Sequence, residues 1–365
     1  MFFEILKKEG YPFKSEFRII REQEKNRFLE GIVSSKEMKD FLEEIRCSKQ
    51  RLSFPATGKA GEYQKRLIAG NFLDFDDIFI YGMRLFKEKP EILDKYRSRF
   101  RHILVDEFQD TSFAQYMFMK EIARENICVI GDPDQSIYGF INGFFNPFEQ
   151  FKKDFPGAEI ISIRENYRSQ NNIIEAAKQI IEKNLSLFPR ELKACVETGL
   201  PIEIISCKSE KHEAELVVRK IENLLGGSSH FAMESKAVEK EIESRNYSLS
   251  DIAILYRFHA QAKILEGVLE KAGLPYETFG RKNEEVSAEE EFKDFVAGGH
   301  SVPPPPEHRA EKIILLTLHR SKGLEFPVVF ITGLGFLKDI HETLKIFKNA
   351  KIPSRKKKPV QDTFF

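Results

Sequence analysis

A chain of 365 residues with 41% hydrophobic and 31% charged side chains has room for two domains and an ordinary globular composition. Its 57 basic and 57 acidic residues cancel, which excludes a simple polycationic nucleic-acid binder but not a local basic groove. The opening Met1-Phe2-Phe3 meets Glu4 and then Lys7-Lys8 too soon for a secretory signal, and no apolar run reaches the length of a bilayer span. Cys47, Cys128, Cys195 and Cys207 lie far apart without zinc-like pairing. These features predict a cytoplasmic protein with reduced thiols and no membrane partner, with Cys128 a buried thiol inside an apolar strand.

In chain order, the stretch to about Gly70 is charged and helical in pattern, with Met38, Phe41, Leu42 and Ile45 on one face and a break at Ser53–Gly58. Short β-branched apolar runs then alternate with amphipathic segments. Strands are expected at His102–Val105, Ile127–Ile130, Glu159–Ile163, Ile202–Ile205, Ile252–Leu255, Ile313–Leu316 and Val328–Ile331. Continuous apolar strands separated by helices are strands covered on both faces, hence parallel α/β sheets, and seven of them suit two sheets better than one. Gly226–Ser229 and Gly298–Ser301, the latter running into Pro303–Pro306, read as loops. Ile340–Phe365, with Arg355–Lys358, reads as a solvated tail.

Two of these strands end in chemistry. The run Ile103-Leu104-Val105 leads into Asp106-Glu107-Phe108-Gln109-Asp110-Thr111, placing adjacent carboxylates at the carboxyl edge where open α/β sheets hold ligands. In a nucleotide motor the first acid holds Mg²⁺ and the second polarises the attacking water. After Val129-Ile130 a second loop, Gly131-Asp132-Pro133-Asp134-Gln135-Ser136-Ile137-Tyr138-Gly139-Phe140, offers a neutral amide able to read a γ-phosphate and two rings suited to base stacking. Two later runs complete the pattern, Glu165-Asn166-Tyr167-Arg168-Ser169 and the stretch from Thr317-Leu318-His319 through Gly323-Leu324-Glu325 to Phe330.

These four motifs, in this order and each beside a strand, resemble those of the UvrD/Rep/PcrA class of superfamily-one DNA helicases, with weaker similarity at Asp74–Asp77 and Ile252–Arg257. The resemblance implies two RecA-like parallel-sheet lobes, the first truncated, with a helical insertion at the amino end. It also implies ATP and Mg²⁺ as cofactors and single-stranded DNA or a single-strand/duplex junction as partner, with 3′-to-5′ movement. Residue by residue, it makes Asp106 the Mg²⁺ acid, Glu107 the general base and Gln135 the γ-phosphate sensor. Tyr167 stacks on adenine, Arg168 is the arginine finger and Glu325 contacts ribose, while His319, Tyr138 and Phe140 touch DNA. An ordinary ion pair between Arg168 and Glu165 is the competing reading for those two side chains.

The departures are as informative. The family's phosphate-binding loop ends Gly-Lys-Thr/Ser, and the only Gly-Lys pair here, Gly58-Lys59, is followed by Ala60 and follows no strand, so it is rejected as that loop. Met1–Leu6 resembles a helix that follows the loop in the family. Nothing in Gly333–Phe365 resembles the last arginine motif, the insertion before Ile313 is short, and Ile141 stands where relatives carry arginine. The expected organisation is an insertion remnant over 1–72 and the first lobe over 73–164. The second lobe covers 165–280 and 310–339 around a linker at 281–309, with a tail over 340–365. The expected activity is that of an ATP-dependent DNA helicase whose hydrolysis needs a phosphate loop, for which a separate chain is a candidate partner. The alternatives are a non-hydrolysing DNA- or protein-binding remnant and a component of a helicase–nuclease complex.

Overall fold

A computed structural model describes residues 2–13, 17–53, 57–124, 126–136, 145–182, 191–196, 201–226, 247–280, 310–336 and 362–364. They fall into two compact units that divide between Ile161 and Ser162. Tyr138, Phe140, Ile141, the Gly298–Pro306 loop and Arg355–Lys358 lie outside the described residues. Among the described residues no helix is long and apolar enough to cross a membrane.

The first unit opens with helices α1 (Phe2–Glu9), α2 (Glu22–Leu29), α3 (Met38–Gln50) and α4 (Gly58–Ala69), and a short parallel pair, β1 (Arg18–Ile19) with β2 (Phe72–Leu73). The expected apolar face of α3 is present: Ile45 is buried, and Met38, Phe41 and Leu42 pack against a core of Leu29, Tyr63, Leu67 and Phe72. The break after it holds as well, since α4 starts afresh at Gly58, and Lys59 at its exposed start pairs with Glu37 at 3.6 Å. Next come α5 (Asp77–Glu88), α6 (Pro90–Arg99), which begins on proline as helix starts tolerate, and α7 (Phe113–Ile122). Ser112 caps α7 through a reciprocal pair of bonds with Gln115.

A buried charge knot ties α3 to the start of α5. Lys49 Nζ lies 2.5 Å from Asp74 and 2.8 Å from Asp77, all three side chains being buried. Although burial works against it, the two carboxylates push the Lys49 ammonium pKa up, and Lys49 in turn holds Asp74 below the usual carboxylate value despite burial. Asp74 and Asp77 also accept each other's backbone N–H at 3.0 Å, so the Asp74–Asp77 run is fixed as a turn into α5.

A second sheet of this unit is a parallel pair, β3 (Ile103–Val105) with β4 (Ile127–Val129), register Ile103↔Ile127, followed after the second loop by helix α8 (Pro147–Asp154). One face of the pair packs on Phe108, Tyr116 and Phe151. The other is open: Leu104 is 70% exposed, Ile130 47%, and Cys128 is exposed, not buried as its apolar surroundings predicted. The expected strand at Glu159–Ile163 is absent: those residues carry no regular structure, and Ile160, Ile161 and Ile163 are exposed. A β-branched run favours extended backbone, but without a neighbouring strand to take its amides it forms no ladder.

The second unit contains a parallel pair, β5 (Glu165–Gln170) with β6 (Lys193–Val196), helix α9 (Asn171–Ile181) and a six-stranded sheet. Its remaining elements are β7 (Ile204–Ser206), α10 (Glu210–Leu224), β8 (Ile252–Tyr256), α11 (His259–Ala272), β9 (Tyr276–Thr278), β10 (Ile313–Thr317), β11 (Val328–Ile331) and β12 (Asp362–Phe364). The sheet order is β7-β12-β11-β8-β10-β9, parallel through β11, β8, β10 and β9. β8 and β10 are buried along their whole length, as continuous apolar runs require. Ile254, Tyr256 and Leu315 face Val217, Leu265 and Leu269 of the helices, while Ala253, Leu255 and Leu316 face Phe279, Leu324 and Phe326. The expectation of a wholly solvated tail is corrected at Asp362–Phe364, which pairs antiparallel with both β7 and β11.

Candidate functional site

In the first unit, Asp106 and Glu107 follow β3 and Asp132–Gln135 follows β4, both at the carboxyl edge of the parallel pair. The two loops are bonded to each other: Phe108 N–H donates to the Ile130 carbonyl and Ile130 N–H to the Val105 carbonyl, at 2.9 and 2.8 Å. Between them sits buried Gln109, which the sequence reading did not single out. Its amide donates to Glu107 Oε2 at 2.5 Å, and its oxygen accepts the Asp132 N–H at 3.0 Å. Asp132 in turn accepts from the side chain of Gln135 at 2.9 Å. Glu107, Gln109, Asp132 and Gln135 therefore form one hydrogen-bonded chain across both loops. Gly131 is needed for the close approach, because a Cβ there would come within 2.3 Å of the Gln109 oxygen.

Glu107 is one of three non-glycine residues with positive φ among the described residues, at φ 50° and ψ 41°. Left-handed backbone is unfavourable for a glutamate and is held by the bonds around it. Its N–H donates to Asp106 Oδ1 at 2.9 Å, while the other Asp106 oxygen takes no hydrogen bond from a described residue. Among the described residues no three acid, histidine or cysteine groups gather to hold a metal. A lone exposed carboxylate still suits Mg²⁺, which keeps water and phosphate oxygens as most of its ligands.

In the second unit Tyr167 and Arg168 lie side by side on β5, and Arg168 reaches Glu325. Asn166 Oδ1 accepts the N–H groups of Arg168 and Ser169 at 3.0 and 2.8 Å, which turns the strand and sends the side chains outward. Tyr167 is 72% exposed, and its hydroxyl donates to Glu165, whose carboxylate pushes the phenol pKa up to about 12. Arg168 does not pair with Glu165, as the competing reading had it; its Nε lies 2.6 Å from Glu325, with both side chains more than half exposed. His319, after β10, is half-buried with Arg257 Nη1 3.0 Å from Nδ1 and 3.3 Å from Nε2. Burial and then the adjacent guanidinium lower its pKa, which favours the neutral imidazole.

Comparison with known proteins agrees with both halves. The sequence model of the UvrD/REP helicase N-terminal domain matches residues 3–156, and that of the UvrD-like helicase C-terminal domain matches residues 161–302. The ATP-dependent DNA helicase PcrA of Bacillus subtilis is 35% identical over 297 residues, 80% of this chain and 38% of that protein. DNA helicase II of Rickettsia typhi is 37% identical over 221 residues, 60% of this chain and 31% of that protein. PcrA of Staphylococcus aureus is 35% identical over 237 residues, 64% of this chain and 30% of that protein. The chain thus spans well under half the length of these relatives.

Proposed function

This chain belongs to the UvrD/Rep helicase family, and we propose that it supplies the acid pair, sensor, adenine-side and DNA-side groups of an ATP-driven single-strand DNA motor but does not hydrolyse ATP by itself. The observation that carries the reading is the bonded chain Glu107–Gln109–Asp132–Gln135, which holds the Glu107 carboxylate and the Gln135 amide on one edge and so supports the roles of base and phosphate sensor for them. In it Glu107 takes the proton of the attacking water, and Gln135 reports the γ-phosphate to the loop that continues to Tyr138 and Phe140. Asp106 would hold Mg²⁺, which supplies charge neutralisation at the phosphates. Tyr167 presents a flat face for adenine, Glu325 a carboxylate for the ribose hydroxyls and Arg168 a positive charge for the transition state. The Arg168–Glu325 pair costs little to break, because such exposed pairs are worth about 0–1 kcal/mol. His319 contacts DNA, and movement is 3′ to 5′.

The part that these 365 residues do not provide is a Gly-Lys-Thr/Ser loop, whose successive amides and lysine cradle a triphosphate. Without the cradle the water before Glu107 has no aligned phosphorus to attack, and catalysis that rests on positioning falls by orders of magnitude. The test is phosphate release by the purified chain with single-stranded DNA, beside an Asp106→Ala, Glu107→Gln double variant. The expected result is measurable DNA binding with no turnover above that of the variant. Turnover that disappears in the variant would overturn the proposal.

A further inference from the structure

The first unit holds a cleft that none of the four motifs reaches. It measures about 380 Å³ and is walled by α5, α6 and the ends of α3 and α7. Leu52, Ile80, Met83, Phe86 and Leu93 supply its apolar lining, and Ile80, Phe86 and Leu93 are themselves buried. Helix α7 leaves the Asp106–Thr111 loop at Ser112 and returns toward the start of β4, so its Glu121 end lies at the amino edge of the β3–β4 pair. The helix is 10 residues long, about 15 Å, which sets the cleft well apart from the loops at the carboxyl edge. An occupant of the cleft leaves the acid pair free.

The wall at Leu52 is held in place. Helix α3 ends in a turn where Leu52 N–H donates to the Lys49 carbonyl at 2.8 Å and Ser53 N–H to the Ser48 carbonyl at 3.1 Å. Leu52 is left-handed there, φ 58°, at a position where helix ends favour glycine. A leucine at that position accepts a backbone cost and keeps an apolar side chain in the wall. Lys49, which anchors the turn, is itself fixed by Asp74 and Asp77. The charge of the lining is unbalanced: Arg84 and exposed Lys87 stand against Glu121, and Glu121 already has Arg97 at 3.6 Å. A preformed apolar cleft near the small end of the roughly 300–1,000 Å³ of ligand sites suits anchoring side chains better than a large cofactor. The surplus of positive charge selects carboxylates beside those anchors. The geometry points to a docking site for an acidic peptide of a partner protein, whose bulky apolar side chains enter the cleft while its carboxylates meet Lys87 and Arg84.

The experiment is a fluorescence-anisotropy titration of the 365-residue chain with a labelled hexapeptide that carries Leu-Phe between two pairs of glutamates. One control peptide has Ala-Ala in place of Leu-Phe, and the other has lysines in place of the glutamates. The parent is expected to bind the acidic Leu-Phe peptide about tenfold more tightly than either control, or better. Lys87→Glu is expected to weaken that binding by about tenfold and to tighten binding of the lysine peptide, a reversal that misfolding does not produce. A parent that does not bind the acidic Leu-Phe peptide, or binds the Ala-Ala peptide equally well, overturns the docking site. A Lys87→Glu variant that keeps the parent's preference overturns it too. Displacement of the peptide by a single-stranded oligothymidylate assigns the cleft to nucleic acid and overturns the proposal in the same way.

Discussion

Glu107 carries a strained backbone and a charge at the same position, and the two can be separated by substitution. Its left-handed φ of 50° is a conformation in which glycine pays no Cβ penalty, whereas alanine keeps the penalty and loses the carboxylate. Both variants give up the bond from Gln109 equally. Glu107→Gly is therefore expected to be more stable than Glu107→Ala by about 1 kcal/mol, the reverse of their order in a helix. Paired urea melts measure the difference; alanine equal to or more stable than glycine would mean that the backbone at 107 is not held left-handed. Gln109, the hub beside it, was illegible in sequence for a physical reason. A glutamine inside a polar turn has no periodicity to betray burial, and its partners are chosen by the approach of a loop that begins at Gly131. The Arg168–Glu325 pair was hidden in the same way, because local sequence offers Glu165 first and only the fold brings Glu325 near.

At the scale of elements, helix α8 is fastened to α7 through one carboxylate. Asp154 accepts Lys120 at 2.8 Å, the Tyr116 hydroxyl at 2.7 Å and Gln150 at 3.1 Å. Lys120 first, and Tyr116 and Gln150 after it, hold the Asp154 carboxyl down at about 2, against the opposing effect of burial. A folded-state pKa below the unfolded value means that ionised Asp154 stabilises the fold above the ordinary carboxylate range. That contribution is lost as pH falls from about 4 through about 2. Asp154→Asn should therefore be less stable than the parent at pH 7, with the gap narrowing at pH 3; a gap that stays constant or widens would exclude this linkage. Elements were the most legible level of the molecule where burial was two-sided. The runs at Ile252 and Ile313 announced strands buried along their length, and α3 announced its core face. The run at Ile127 gave its strand but not the exposure of Cys128, and the run at Glu159 gave no strand, because apolar composition says what a segment could bury and not whether a neighbour arrives. The three residues of β12 gave no signal, since their place depends on the edges of β7 and β11.

At the scale of the whole molecule, the open face of the β3–β4 pair and the missing phosphate loop point to one test. Parallel strands in α/β proteins are ordinarily covered on both faces, yet Leu104, Cys128 and Ile130 are exposed on one side of this pair. If the motor is completed by a βα segment that brings a Gly-Lys-Thr loop, that segment must bury apolar surface here while placing its loop at the carboxyl edge beside Asp106. A chimera joining the loop-bearing segment of a PcrA relative to this chain is expected to gain DNA-stimulated ATP turnover. Maleimide labelling of Cys128 should slow in it relative to the unfused chain, with Cys207, buried in both, as the unreactive reference. Within the chimera, Glu107→Gln should abolish turnover while nucleotide affinity stays within a few-fold, because a base that acts only in the transition state contributes nothing to ground-state binding. Phosphate release and titration with a fluorescent nucleotide separate the two quantities. Turnover surviving in Glu107→Gln would remove Glu107 from the role of base. Turnover gained with Cys128 still freely labelled would show that the added segment completes the site without covering this face.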